Sequence, residues 1–148
     1  MKITKIPNMK SIKVFVVFLM FALTALGLSA KSDVRTTKVY MFGFALSLTD
    51  SVVYLTDVQA VDSAQVEKKY GFLYGRSLYA AQLQSHIENT HNKPNTTCVV
   101  FFNPKKSKLE GEYIEIRKRY SKDKNVILTP VGVDAFQFQR EEYYDVND

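Results

Sequence analysis

An alternation of large and mostly smaller apolar residues marks the chain from residue 38 onward. Large side chains occupy every second position from Tyr40 to Leu46. Because successive side chains of a strand point to opposite faces, the pattern predicts a strand over 38–46, with its large face toward the core. A second run, rich in Val, Tyr, Leu and Thr, covers 51–58. The polar link Ser47–Asp50 between the two runs predicts a β-hairpin.

Two later segments change to the period of an α-helix. In the first, over 78–90, an apolar stripe repeats every four residues, and Ser77 precedes it as a candidate N-cap. In the second, Ser107 and Glu110 fit a capping box, and the stripe repeats at spacings of four, three and four. Each pattern predicts an amphipathic helix. The stripes consist of Tyr79, Leu83 and Ile87 in the first and Leu109, Tyr113, Ile116 and Tyr120 in the second.

The remaining apolar runs predict shorter elements. Residues 97–102 are apolar on both alternate faces, which is typical of a central strand in a covered sheet. Residues 125–131 predict another strand. Phe136 and Phe138 alternate with glutamines and form a candidate final strand.

These elements predict an α+β fold in two layers. Their order is β-β-α-β-α-β, with an optional final β. The economical arrangement is one mixed sheet of four or five strands with two helices on one face. The segment 97–131 can form a right-handed βαβ unit. The predicted domain covers 38–140, between a flexible leader at 31–37 and a frayed acidic tail at 141–148.

The first thirty residues have the three parts of a secretory signal peptide. Four lysines without an acidic residue come first, an apolar run covers 14–28, and small residues lead to Ala30. An apolar helix of about 15 residues reaches roughly 22 Å, short of a roughly 30 Å hydrocarbon core. We expect cleavage after Ala30 or Gly27 and export to the periplasm, the cell surface or the medium, with no stable membrane insertion afterwards. The alternative is an uncleaved anchor helix.

Charge and cysteine content narrow the classes of partner. Four of the 20 basic residues and none of the 15 acidic ones lie in the signal, so the exported part is nearly neutral. Nucleic-acid binding requires a basic patch in the domain itself, so no nucleic-acid partner is expected. The single cysteine, Cys98, cannot form an internal disulfide. Its apolar neighbours indicate a buried structural thiol.

The segment 59–77 is the least regular and contains the one candidate ligand site. We expect a short helical turn starting at Asp62 or Ser63. Gly71 and Gly75 are separated by three residues rather than four, and Arg76 stands where a phosphate-binding loop has Lys, so no nucleotide site is expected. Free N–H groups at the helix start, with Arg76 and Ser77 beside them, form a candidate site for a small anion.

No catalytic, cofactor or metal motif is present in the sequence. His86 and His91 are five residues apart, about 140° around a helix, so the pattern does not predict a shared metal. Asp50, Asp57 and Asp62 surround the second predicted strand, where aspartates are usually turn residues. A pocket joining Arg76 to two or more of these aspartates would indicate an enzyme.

The stretches from Tyr40 to Val58, Gly71 to Arg76 and Thr97 to Phe102 together resemble small exported proteins of unknown function from Bacteroides-like bacteria. The resemblance covers nearly all of 38–138. It implies a periplasmic or surface location and carries no activity or site residues.

These observations lead to one functional hypothesis and two alternatives. The leading hypothesis is a non-enzymatic exported domain that binds a protein, peptide or envelope component. The first alternative is a small envelope enzyme such as a hydrolase, and the second is a membrane-tethered structural domain. An open sheet edge or an apolar groove would favour the binding domain.

Overall fold

A computed structural model describes residues 33–142 and 144. Five strands and two helices follow one another along this part of the chain in the order β-β-β-α-β-α-β. The strands are β1 (Val34–Ser47), β2 (Val52–Thr56), β3 (Gln59–Glu67), β4 (Thr96–Asn103) and β5 (Ile127–Val131), and the helices are α1 (Arg76–His91) and α2 (Lys106–Lys122). The α+β class, the mixed sheet and the approximate order of elements are confirmed.

The long strand β1 organises the sheet. Residues 44–46 of β1 pair with both β2 and β4, and residues 40 and 41 pair with both β3 and β4. Strands β2 and β3 therefore follow each other along one edge of β1, and β4 lies along the other. All three are antiparallel to β1, whereas β5 pairs with β2 in parallel. β4 and β5 consequently run in the same direction, and α2 connects them across the sheet.

The helices lie on opposite faces of the sheet, which corrects the expected arrangement on one face. Val39, Met41 and Ala45 of β1 pack in the cluster that contains the buried residues of α1. The alternate residue Phe42 packs with Leu109 of α2. Both faces of β1 are apolar, and a sheet that is apolar on both faces needs a covering layer on each.

The sequence predicted that β4 is a central strand, but the structure places it at an edge. Among the described residues it pairs only with β1. Its two apolar faces are explained by the two helices, because both α1 and α2 contact β4. An edge strand between two helical layers has the same sequence pattern as a central one.

A strand, β3, replaces the helical turn expected after Asp62. Its buried residues Val61, Ala64 and Val66 are not evenly spaced by two, because the register with β1 shifts between Thr37 and Val39. Ser63 has a positive φ of 59° at this irregularity. Because of this β-bulge, the side chain of Ala64 faces inward instead of that of Ser63. Two successive inward-facing residues, Val61 and Ala64, are then three positions apart, as they would be on a helix. Residues 34–37, expected in the flexible leader, belong to β1.

Phe136 and Phe138 are buried, as their alternation suggested, but they do not form a strand. The extended backbone around them bonds to a side chain instead. The amide of Gln59 donates to the carbonyl of Phe136 and accepts from the N–H of Phe138, both at 2.9 Å. Of the predicted acidic tail, residues 141, 142 and 144 are described, and the N–H of Glu141 bonds to the Tyr79 hydroxyl at 3.1 Å. The predicted signal peptide lies outside the described residues.

Candidate functional site

Arg76, the residue predicted to bind an anion, lies at the start of α1 and reaches the edge of β4. Gly75 caps the helix with φ 66°, a left-handed conformation that suits glycine. The Arg76 Nε and Nη2 groups donate to the carbonyl of Val100 at 3.0 and 2.7 Å. The guanidinium also lies 5.9 Å from the centre of the Phe102 ring. Ser77 is exposed in the first turn and does not cap the helix. The two predicted anion-binding residues, Arg76 and Ser77, are therefore adjacent in the chain, but the Arg76 side chain bonds to β4.

β4 has no charged residue of its own, and every second residue turns its backbone groups away from β1. Gly43 pairs with Val100 across the ladder, and its N–H donates away from β4, to Thr56 Oγ1 at 2.8 Å. Gly43 and Val100 are therefore a non-hydrogen-bonded pair, and the backbone groups of Val100 point outward. The same parity turns the backbone groups of Cys98 and Phe102 outward. We call this row the β4 edge.

The three aspartates and Arg76 are not brought together in one pocket. Asp50 forms an ion pair with Lys93, which lowers the pKa of the carboxyl and raises the pKa of the ammonium group. Asp62 pairs with Lys38 at 3.0 Å on the surface, and this bond raises the pKa of Lys38. Asp57 follows β2, where its N–H bonds to Val131. The arrangement that would indicate an enzyme is thus not formed by these residues.

The two histidines pack at the end of α1 against aromatic rings. Their ring centres are 6.2 Å apart, with His86 5.1 Å from Phe136 and His91 4.7 Å from Tyr54. Burial, and secondarily the charge of His91, lower the pKa of His86. Within 33–142 and 144, no three His, Cys, Asp or Glu side chains are grouped as metal ligands.

The sequence predicted that Cys98 is a buried structural thiol, whereas the structure leaves it partly exposed. It is half-buried, and burial, followed by the nearby charge of Glu88, raises its pKa to about 11. A thiol with this pKa is almost entirely protonated at neutral pH and is a poor nucleophile.

A cleft of about 370 Å³ lies between the C-terminal half of α2 and strands β2 and β5. We call it the α2 cleft. Its polar side chains belong to the helix, and its apolar floor belongs to the strands and to the residue before β5. The lining residues are Tyr113, Arg117, Tyr120 and Ser121 on the helix, and Leu55, Val126, Leu128 and Pro130 opposite them.

Sequence reasoning missed the α2 cleft. Tyr113 and Tyr120 were assigned to the core stripe of the helix, and both rings do pack on the sheet, against Phe42 and Phe44. The available signal was Arg117, which is four residues after Tyr113 and three before Tyr120 and so lies beside them on a helix. The strand residues across the cleft could be located only from the fold.

Comparisons of the chain with protein-family models, curated proteins and solved structures found no match. In the part of the chain that the structure describes, no helix has both the length and the apolar character needed to cross a membrane.

Proposed function

We propose that this chain is an exported, non-enzymatic binding domain that takes up an extended segment of a partner protein along the β4 edge. The observation that carries the proposal is the outer edge of β4, which pairs with no strand of the described residues and has no charged residue of its own. In this mode of recognition, a peptide adds a strand to an exposed sheet edge, and main-chain hydrogen bonds supply much of its affinity.

The composition of β4 supports an edge that accepts a partner. Natural edge strands are usually kept from pairing by charged residues, proline, bulges or short length. β5, at the opposite edge, has five residues and contains Pro130. β4 has eight residues with neither a charge nor a proline, and Val99 is 41% exposed. β4 and β5 therefore differ in the features that block pairing.

The Arg76 side chain blocks the β4 edge at one backbone carbonyl, that of Val100. Its two N–H donors occupy the Val100 carbonyl, where an incoming strand would place a backbone N–H. A partner must therefore displace the guanidinium at Val100, whereas no hydrogen bond from a described side chain occupies the outward backbone groups of Cys98. We expect Arg76→Ala to increase the affinity of the edge for a partner strand, because it removes this competition.

The N-terminal sequence supports a partner met outside the cytoplasm. The lysine-rich start, the apolar run over 14–28 and the small residues before Ala30 are the basis for proposing export. The enzyme alternative has less support, because Asp50, Asp62 and Arg76 each bond to a different group.

Site-specific photocrosslinking in the source cell tests the proposal. A photoreactive residue replaces Val99 on β4 in one full-length variant and Ile127 on β5 in the matched control. Both side chains are exposed, at 41% and 65%. We expect a crosslink from position 99 to one defined segment of an exported protein, and loss of that crosslink when proline is placed within the segment. Equal crosslinking from both positions, or no crosslink from position 99, would contradict the proposal.

Amide hydrogen exchange tests whether the β4 edge is free, and it does not require the partner to be known. In the free domain we expect the outward N–H groups of Cys98 and Val100 to exchange faster than that of Val99, which faces β1. A bound strand should slow exchange at the outward positions. Uniform protection along β4 in the free domain would show that the edge is already covered.

A further inference from the structure

The α2 cleft contains a cation without an acidic partner. Arg117 is exposed on α2, and no ion pair formed by the described residues includes it. The acidic residue paired on this helix, Glu110, bonds to Lys106 at 3.5 Å. The guanidinium of Arg117 is therefore available at the rim of a cleft, with its fork of N–H donors unused by any carboxylate of the described chain.

Three hydroxyl groups line the same cleft as this cation. The Tyr113 ring lies edge-on against Phe42 at 5.3 Å, and the Tyr120 ring lies against Phe44 at 4.9 Å, so packing fixes both rings. Within the described residues, neither phenol has a hydrogen-bond partner. The Ser121 hydroxyl donates to the backbone carbonyl of Arg117 at 2.7 Å, which leaves its oxygen able to accept. Tyr113 and Tyr120 thus provide donors beside the guanidinium.

The floor of the α2 cleft is apolar. Leu55 and Leu128 belong to the strands, and Val126 and Pro130 extend this surface toward its two ends. Small-molecule sites in proteins are typically concave, mostly apolar and furnished with a few convergent polar groups, with volumes of roughly 300–1,000 Å³. The volume of about 370 Å³ is near the lower end of that range and suits a compact ligand.

The charges around the cleft favour a monoanion. A guanidinium fork matches the two oxygens of a carboxylate. Arg117 is the one cationic lining residue, and a phosphate dianion would require more positive charge. Asp57 is close enough to Tyr113 to contribute, after burial, to raising the pKa of that phenol. Its carboxylate would repel additional negative charge at that end of the cleft.

We propose that the α2 cleft binds a carboxylate carried by a compact apolar group, with Arg117 holding the carboxylate, Tyr113 and Tyr120 donating to it, and Leu55 and Leu128 packing against the apolar part. The site is separate from the β4 edge, so this inference does not depend on the proposed strand addition.

Calorimetric titration of the protein with 3-phenylpropionate and with its neutral amide, 3-phenylpropionamide, tests the charge requirement. We expect the acid to bind at least about tenfold more tightly than the amide, because a hydrogen bond to a charged group contributes more than a neutral one. Equal binding of acid and amide, or no binding of the acid at millimolar concentration, would overturn the proposal.

Variants of α2 identify the residue responsible. Arg117→Met removes the charge but keeps an apolar stem, and we expect at least a tenfold loss of affinity for the acid. Arg117→Lys keeps the charge without the fork and should show an intermediate loss. Arg119→Met is the matched control, since it removes one exposed arginine of the same helix that does not line the cleft. Similar losses for Arg117→Met and Arg119→Met would refute the assignment.

The apolar carboxylate could be a free organic acid or the last residue of a peptide. The tripeptide Gly-Gly-Phe and its C-terminal amide distinguish these sources. Binding of the tripeptide but not its amide, at an affinity similar to that of phenylpropionate, would support the site and indicate a chain terminus. Binding of phenylpropionate alone would support the site and indicate a small free acid. Failure of phenylpropionate to bind would overturn the proposal, whether or not the tripeptide binds.

Discussion

The two faces of the sheet differ in how completely they are packed. In the described part of the chain, the face covered by α1 has fifteen buried residues in one cluster, including Phe136 and Phe138 from the C-terminal segment. The cluster on the face covered by α2 has three buried residues, surrounded by seven that are partly buried. The first face is closed by two chain segments and the second by one helix, which leaves the α2 cleft open.

Because of this difference, we expect the α1 face to contribute more to stability and the α2 face to be the one that can bind a ligand. Protein interiors resemble crystals in density, so a fully packed face contributes strongly to stability and has no room for a ligand. Gly43 shows how closely the α1 face is packed, because an added Cβ would collide with Leu83 and lie 3.1 Å from Phe138. On the α2 face, the incomplete cover costs stability but exposes Arg117 and two phenol groups. We expect substitutions to have correspondingly unequal effects.

The largest expected effect is the loss of a leucine from the α1 face. Leu83 is fully buried, and Leu83→Ala should lower the free energy of unfolding by about 3 kcal/mol through lost burial and a cavity. Ile116→Ala on α2 removes the same number of carbon atoms from a partly buried position and should cost about 1 kcal/mol. Urea denaturation of both variants measures the difference. Equal losses would show that the two faces contribute alike.

The second effect concerns the glutamine that fastens the C-terminal segment. Gln59→Ala leaves a buried carbonyl at Phe136 and a buried N–H at Phe138 unpaired, so we expect a loss of about 2 kcal/mol. Gln82 also bonds to this segment, to the N–H and carbonyl of Gln139 at 2.9 Å each and to the Glu141 carboxylate, but in a more exposed position.

Gln82→Ala is therefore the matched control, with an expected loss below about 1 kcal/mol, since water can replace its bonds. Denaturation with urea compares the two variants. Limited proteolysis after residue 135 should also accelerate more in Gln59→Ala. A greater loss in Gln82→Ala would mean that the segment is held mainly at its exposed end.

The regular elements of this fold were predictable because their hydrophobic periods are complete. The stripe of α1 correctly identified Tyr79, Leu83 and Ile87 as its buried residues. β3 was not recognised, since the bulge at Ser63 interrupts its alternation and leaves an apparent helical spacing. The period of apolar residues identifies a helix or strand only where the backbone geometry is regular along the whole element.

Arrangement was harder to predict than the elements themselves. The apolar character of both faces of β4 required two covering layers, and it was compatible with either an edge or a central position. Phe136 and Phe138 were correctly expected to alternate, but their backbone partner is a side chain 77 or more residues earlier in the sequence. The α2 cleft depends on the approach of Arg117 to Leu55 and Leu128, which no local pattern encodes.

The smallest expected effect is a pH dependence centred on His86, where the C-terminal segment meets α1. Burial and the charge of His91 lower the pKa of His86 below its usual 6.5, so the folded protein favours the neutral ring. The unfolded chain binds the proton more readily, and stability should therefore fall as the pH drops below about 6.5, until the folded-state pKa is passed. Well above pH 6.5 the ring is neutral in both the folded and the unfolded chain, and the titration of His86 no longer changes the stability.

Urea denaturation at pH 7.5 and 5.5 isolates this contribution, because carboxyl groups such as Asp50, whose pKa lies below 3.8, titrate at lower pH. His86→Phe keeps an aromatic ring beside Phe136 and should remove the loss at pH 5.5 that is due to His86. His91→Gln removes the neighbouring charge and should only reduce that loss, since burial is the larger cause of the lowered pKa. If His86→Phe lost as much stability between pH 7.5 and 5.5 as the unaltered protein, another titratable group would be responsible for the loss. The contact of His86 with Phe136 would then be insensitive to protonation of the imidazole.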